Sequence, residues 1–369
     1  MTTTTSTTEP TSGASAAIDP DRLQHLVEQA VGDFGAVLTA SLVVIGDRLG
    51  LYRALRDLGP STSAQLADAT GTVERNVREW LSGQAAAGYV SHQTDPDGTD
   101  RWSLSPEQAV ALTDETSPAF ITGGFQVVTG AAKSDELVTE AFRTGSGLGW
   151  HRHHHDLFTG TERFFRPGYA ASLVSEWLPA LPGIVDRLQV GGRAADVGCG
   201  HGASSIVMAR AFPQAQFSGS DLHAPSIEAA TRAAQSAGVT NVEFEVAAAA
   251  AFTGDGFDLI CFFDCLHDMG DPVGALRHAR AALADDGAVL LVEPFAGDRV
   301  ADNLNPIGRL FYSASTLICT PASQSQEIGR ALGAQAGPTR LAEVATEAGF
   351  RTVRTAASTP VNLVLELRP

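Results

Sequence analysis

The sequence predicts an α/β protein: an open, doubly wound sheet of seven strands ending in an antiparallel hairpin, preceded by a mainly helical N-terminal domain. Three observations carry the prediction. From Arg193 onward, strand-like runs at 193–197, 215–220, 242–246, 257–263 and 288–293 alternate with helical patterns that include 225–237 and 273–284. The last two runs, 350–356 and 361–367, have no helix between them and Pro360 near their junction, which makes them a hairpin at the sheet edge. Before Arg193 the apolar spacing is predominantly helical.

Residues 1–18 are rich in Thr and Ser and are expected to form a disordered tail. From Asp21 the pattern turns helical, with Leu23, Leu26, Val27, Phe34, Val37, Leu38, Leu42, Val43 and Ile45. Those apolar residues cover more than one face, which fits either a buried core helix or a helix packed on a second subunit. Ser61-Thr62-Ser63 caps a helix carrying Leu66 and Ala67, and Gly71 makes a turn into a second helix over 72–87 with Val77, Trp80 and Leu81. Tyr89-Val90 and Trp102-Ser103-Leu104 flank the turn Asp95-Pro96-Asp97-Gly98. Residues 61–104 thus resemble a winged helix-turn-helix. Glu74 and Glu79 balance Arg75 and Arg78 on its second helix and the wing is acidic, so a structural or dimerising role is expected rather than DNA binding. The expected divisions are a helical and winged-helix domain over 19–116, connecting helices and a lid over 117–190, and the sheet domain over 191–369.

Composition narrows the partners. A formal net charge of −17 argues against binding along nucleic-acid phosphates. Lys133 is the one lysine, so no Gly-Lys-Ser/Thr phosphate loop exists and a Schiff base could form only there. The four cysteines lack zinc-knuckle spacing, no signal-peptide core follows Met1, and no apolar run is long enough to span a bilayer on this reading. A cytoplasmic protein with reduced thiols and no membrane partner is expected.

The chemistry concentrates in Arg193-Ala-Ala-Asp-Val-Gly-Cys-Gly-His-Gly202 and Phe217-Ser-Gly-Ser-Asp221. A strand ends near Asp196, glycines fall at 198, 200 and 202, a helix follows, and a second strand closes on Asp221. Such a unit lets backbone approach a cofactor's tail and places a nucleoside ribose on the closing acid. Asp196 can accept from an ammonium on that tail, directly or through water. Gly198, Gly200 and Ala203 also satisfy a looser dinucleotide pattern, which leaves a nicotinamide-dependent reductase open at this point.

Together with the terminal hairpin, these residues resemble the class I S-adenosylmethionine-dependent methyltransferases, whose sheet is Rossmann-like. The N-terminal winged helix and Leu266-His267-Asp268 extend the resemblance to the small-molecule O-methyltransferases. The runs Phe164–Tyr169 and Phe263–Pro272 resemble an actinobacterial group of methyltransferases of unassigned substrate. The resemblance implies S-adenosylmethionine as cofactor, held by Asp196, Gly198, Cys199, Gly200, Gly202, Asp221, Leu222, Ala248, Ala249 and Phe263. It also implies a polar residue after the third strand for the adenine amino group. Here that segment is Ala247–Ala251, without a polar side chain.

His267 follows a buried strand at the edge where open α/β sheets bind ligands, and an imidazole suits a general base. Glu293 ends the next strand and could fix its tautomer. The resemblance assigns these two residues as base and orienting partner, with Asp268 beside them as a substrate contact or a turn residue. The expected reaction is methyl transfer to a small hydroxyl-bearing acceptor by a homodimer. Metal-assisted C-methylation of a keto acid and a ligand-sensing winged-helix regulator are the other readings. His151 and His155 would share a helical face that His267 and Asp268 could complete into a metal site, but no ligand set is fixed by spacing and no metal is assigned. His154, His155, Phe165, Arg166 and Tyr169 are expected in a lid over the acceptor.

Overall fold

Helix α1 (Pro20–Arg48) starts where the Asp19 carboxylate accepts from the N–H groups of Asp21 and Arg22, with Pro20 at the first helical position. The structure, a computed structural model, describes residues 17–369, so nearly all of the expected disordered tail lies outside the described residues. The end of α1 packs with α2 (Leu51–Leu58), α3 (Ser63–Thr70) and α4 (Glu74–Ala86). Val43, Tyr52, Leu55, Leu66, Trp80 and Leu81 form the core of this unit. Two of its polar ring atoms are satisfied, since Trp80 Nε1 donates to Leu42 O at 2.8 Å and Tyr52 OH to Gln84 Oε1 at 2.5 Å, while Trp102 Nε1 is buried without a partner. Strands β1 (Ser91–Thr94) and β2 (Asp100–Ser103) form the wing. On α4, Arg78 pairs with Glu74 and Arg75 with Glu79, so its arginines are spent on their own helix.

Two expectations about α1 need correction. It is not a core helix throughout, because Leu23, Leu26, Val27, Val31, Phe34, Val37 and Leu38 are all exposed on the single chain. By length and composition α1 is also long and apolar enough to cross a membrane, against the expectation that no run is. The apolar residues that a bundle interface spreads over several turns add up to the same hydropathy as a span.

After α5 (Pro106–Thr113), α6 (Thr122–Ala132) and α7 (Asp135–Thr144), helix α8 (His155–Ser172) lies tightly on α6. Glycines set that contact: a Cβ on Gly130 would meet Leu157 N at 2.8 Å, and one on Gly160 would meet Val127 N at 2.7 Å. Arg163 of α8 is bridged to Asp47 of α1 and to Glu115, tying the helix to the N-terminal domain.

Following α9 (Ile184–Gln189) comes the sheet, with β3 (Arg193–Val197), α10 (Ala203–Ala211), β4 (Gln216–Asp221), α11 (Ala224–Ser236), β5 (Val242–Val246) and β6 (Phe257–Phe263). Next are α12 (Pro272–Ala282), β7 (Leu283–Pro294), α13 (Pro306–Ala314), α14 (Thr320–Gln324), α15 (Gly337–Glu347), β8 (Thr352–Ser358) and β9 (Asn362–Arg368). The strand order is β5-β4-β3-β6-β7-β9-β8, with only β9 pairing antiparallel to its neighbours β7 and β8. Apolar layers cover both faces, one with Ile260, Phe262, Val289 and Leu291, the other with Leu259, Cys261, Leu290 and Val292. Chain order reverses between β3 and β6. Their carboxyl ends are therefore the crevice in which such sheets bind ligands.

Candidate functional site

One cavity of about 440 Å³ opens at that crevice. The glycine turn forms one wall: Gly198, Cys199 and Gly200 line it, all three glycines have positive φ, and a Cβ on Gly198 would lie 2.8 Å from Cys265 Sγ. Gly202 sits behind the turn, where a Cβ would meet the Phe244 ring at 2.8 Å. Asp221 lines the cavity; its Oδ2 accepts from Gly200 N–H and its Oδ1 from His223 N–H, which fixes both oxygens on the turn. Burial raises its pKa. Beyond it, Leu222 is 64 % exposed and also faces the cavity, an apolar platform open to a flat ring.

Asp196 lies one layer deeper than expected. Its Oδ2 accepts from Ser204 Oγ and Ser205 Oγ, each at 2.6 Å, and its Oδ1 is buried without a hydrogen-bond partner. Burial pushes this carboxyl up to about 6, against the lowering by the two serines. An orphaned buried oxygen behind a glycine turn is what an ammonium or its bridging water would satisfy. Ala248 and Ala249 line the cavity. Ala247 N–H is spent on Asp221 O and Ala251 N–H on Ala248 O, while those of Ala248 and Ala249 have no protein acceptor among the described residues. The cradle thus fits the tail, ribose and ring of a nucleoside cofactor.

The opposite wall comes from α8. Phe158, Thr161, Glu162, Phe165 and Tyr169 line the cavity at spacings of three and four along one helical face. Tyr169 packs on Phe263, itself a lining residue, and lies nearly parallel to Phe165. Three expected lid residues are elsewhere. His154 caps the start of α8 and, with His155, lies against Asp156, which Lys133 and Arg48 also engage. Arg166 turns away to Glu115 and Glu162. The helix begins at His155 after a short turn over Trp150–Arg152, so His151 and His155 do not share a helical face.

At the end of β6 the chain makes a short turn, Leu266–Asp268. His267 is buried, and its Nδ1 is hydrogen-bonded to Glu293, whose other oxygen accepts from Leu266 N–H at 3.0 Å. Arg309, an alternative partner for Glu293, pairs instead with Asp33. His267 Nε2 lies 3.1 Å from Asp268 Oδ1, but the contact is not aligned as a hydrogen bond and that oxygen is left unpartnered. Burial lowers the pKa of His267; the charges of Glu293 and Asp268 outweigh it, and the imidazole stands well above its usual value. Asp268 lines the cavity and His267 sits behind it. Cys319 Sγ lies in the same cluster, its thiol pushed up by burial to about 12 and hence neutral.

Sequence reasoning passed over Glu162, Trp150 and Asp264. The spacing of Glu162 from Phe158, Phe165 and Tyr169 marked it as a neighbour on one face. Burial raises its pKa despite Arg166. Asp264 was marked only by following a buried strand directly.

Comparison with known proteins agrees with this geometry. Residues 188–334 match the family described as a methyltransferase domain, and residues 37–114 the Rv2258c-like winged HTH domain. The chain is 25% identical to the mitomycin biosynthesis 6-O-methyltransferase of Streptomyces lavendulae, across 83% of this chain and 90% of that protein. Its fold is similar to that of the mitomycin 7-O-methyltransferase MmcR, with a TM-score of 0.67, 21% identity and coverage of 95% and 100% of the two chains. It is similar also to PigF with SAH, at a TM-score of 0.70, 15% identity and coverage of 93% and 99%. The chain is thus an S-adenosylmethionine-dependent methyltransferase with a winged helix ahead of a class I methyltransferase domain, and it is similar to small-molecule O-methyltransferases.

Proposed function

We propose that the chain transfers a methyl group to a hydroxyl oxygen of its small-molecule acceptor, with His267 taking the hydroxyl proton. When bound, S-adenosylmethionine supplies the electrophilic methyl group and its own leaving group, so the protein has to position the acceptor and remove a proton. The observation that carries the reading is the His267 imidazole held through Nδ1 by Glu293, with its Nε2 beside the unpartnered Oδ1 of Asp268 on the cavity wall. A hydroxyl placed there meets a base whose other nitrogen is already fixed by Glu293, the arrangement a base and orienter need.

The pH dependence gives a test with a definite sign. The pKa of His267 is raised, so more of the imidazole carries the proton than in a free histidine, and its base-competent fraction grows as pH rises. Log kcat should therefore climb through the neutral to alkaline range, measured with the hydroxyl acceptor of highest turnover. Glu293→Gln removes the charge that holds the proton, and should move that limb to lower pH. A limb unmoved by this variant contradicts the assignment.

The exposed apolar side of α1 serves as the homodimer contact in this reading. The helix is about 43 Å long at 1.5 Å per residue. Asp33 at its middle is bridged to Arg309 of α13, beside exposed Leu304 and Leu310, so the patch continues onto the catalytic domain. Sedimentation velocity should give twice the chain mass of 38.5 kDa, and Val37→Asp with Leu38→Asp should give the monomer.

A further inference from the structure

Asp264 sits where β6 leaves the sheet, and nothing in the chemistry described so far uses it. It lines the cavity, and with Ala331 it is one of two non-glycine residues with positive φ among the described residues, at +50°. A left-handed conformation costs roughly 1–2 kcal/mol outside glycine, and asparagine and aspartate tolerate it best. The surroundings hold it there: Asp264 N–H donates to Val292 O at 2.8 Å, one step beyond the last paired residues of β6 and β7. Strain at a cavity wall points to a role for the side chain it presents.

The carboxyl has only loose partners. Tyr169 OH donates to Oδ2 at 3.4 Å, and Asn362 Nδ2, from the start of β9, donates to Oδ1 at 3.3 Å. Both are at the long limit for hydrogen bonds. Three elements thus frame one carboxyl without saturating it. Around the carboxyl the cavity is aromatic, with Phe165, Tyr169 and Phe263 on its wall. This suits a planar conjugated molecule rather than a flexible polar one.

Resting on the functional reading above, we propose that Asp264 determines acceptor specificity by hydrogen-bonding to a second oxygen of an aromatic acceptor, one that is not methylated. The preferred substrates are then ring hydroxyls whose ring carries another oxygen function. Burial and the charge of Glu293 hold Asp264 up to about 8, so below that pH its carboxyl is largely neutral and can donate to a carbonyl or hydroxyl oxygen. The other groups facing it are Tyr169 from α8, Asn362 from β9, and Cys265, His267 and Asp268 from its own turn. As pH rises through about 8 the donor is lost, and the preference for a carbonyl-bearing acceptor falls with it.

The test measures methyl transfer from S-adenosylmethionine by the full chain to phenol, catechol, resorcinol and 2-hydroxybenzaldehyde at neutral pH. Wild type should favour at least one of the three dioxygenated probes over phenol by about tenfold in kcat/KM, the worth of one good hydrogen bond. Asp264→Ala should reduce that preference to about twofold or less. Asp264→Asn keeps both a donor and the tolerance for positive φ, so it should fold normally and retain part of the preference for 2-hydroxybenzaldehyde. Affinity for S-adenosylhomocysteine should stay within about twofold in both variants, because the effect lies on the acceptor. Methylation of phenol with no dioxygen preference, or a preference unchanged in Asp264→Ala, overturns this inference and leaves the functional reading standing. Binding of S-adenosylhomocysteine with no oxygen methylated in any probe removes both.

Discussion

Replacing His267 with alanine is expected to slow methyl transfer by about 10²–10⁴-fold, the usual worth of a positioned general base, while S-adenosylhomocysteine binds almost as before. The separation follows from geometry. His267 lies behind Asp268 and touches none of the cradle formed by Gly198, Gly200 and Asp221. The variant should also lose stability, because Glu293 is 2 % exposed and would keep only Leu266 N–H as a partner. Breaking a buried pair costs about 3–5 kcal/mol, so turnover is to be compared below the variant's own unfolding transition. His267→Gln preserves part of the buried hydrogen bonding and should recover stability without recovering turnover. Wild-type turnover in either variant would remove His267 from the mechanism.

The second large effect is expected at Asp221. Asp221→Ala should weaken S-adenosylhomocysteine by about 10²-fold or more, since hydrogen bonds to a charged group contribute about 1.5–3 kcal/mol each. The loss has two sources. The ribose loses its acceptor, and the turn loses the carboxylate that holds Gly200 N–H and His223 N–H. Asp221→Asn keeps one acceptor oxygen and should fall between the two. Calorimetric titration separates the variants, and equal affinities across all three would place the ribose elsewhere.

The glycine turn and the strands around it were legible in the sequence because their signals are local. Glycines at 198, 200 and 202 have positive φ in the structure, and the residues before and after them fix the strand ends. The parallel strands follow from alternating strands and helices, and the antiparallel edge from one missing crossover. The acceptor half was less legible because its residues meet only in three dimensions. The histidine run illustrates this: helix α8 starts at His155, which leaves His153 buried against Ser134 and commits His154 and His155 to the helix terminus. A single break in periodicity decided which ring went where. Asp264 was hidden for another reason: its importance comes from a left-handed backbone and from Tyr169 and Asn362, residues 95 and 98 positions away.

Helix α1 shows the reverse case, where the pattern was visible and its meaning was not. Apolar residues on several faces are equally compatible with a core, a membrane span and an interface between chains. Exposure of the N-terminal turns on the single chain, together with burial of Val43 and Val44 near the other end, gives the helix two different surroundings and excludes a core helix along its whole length.

The measurement that bears most directly on the whole account follows the methyl group itself. The full chain is incubated with S-adenosylmethionine carrying a trideuterated methyl group and with hydroxyl-bearing aromatic acceptors, and the labelled position in the product is located by NMR. The label is expected on oxygen, at a rate that collapses in His267→Ala. Label on carbon or nitrogen, or equal rates in wild type and that variant, would contradict it.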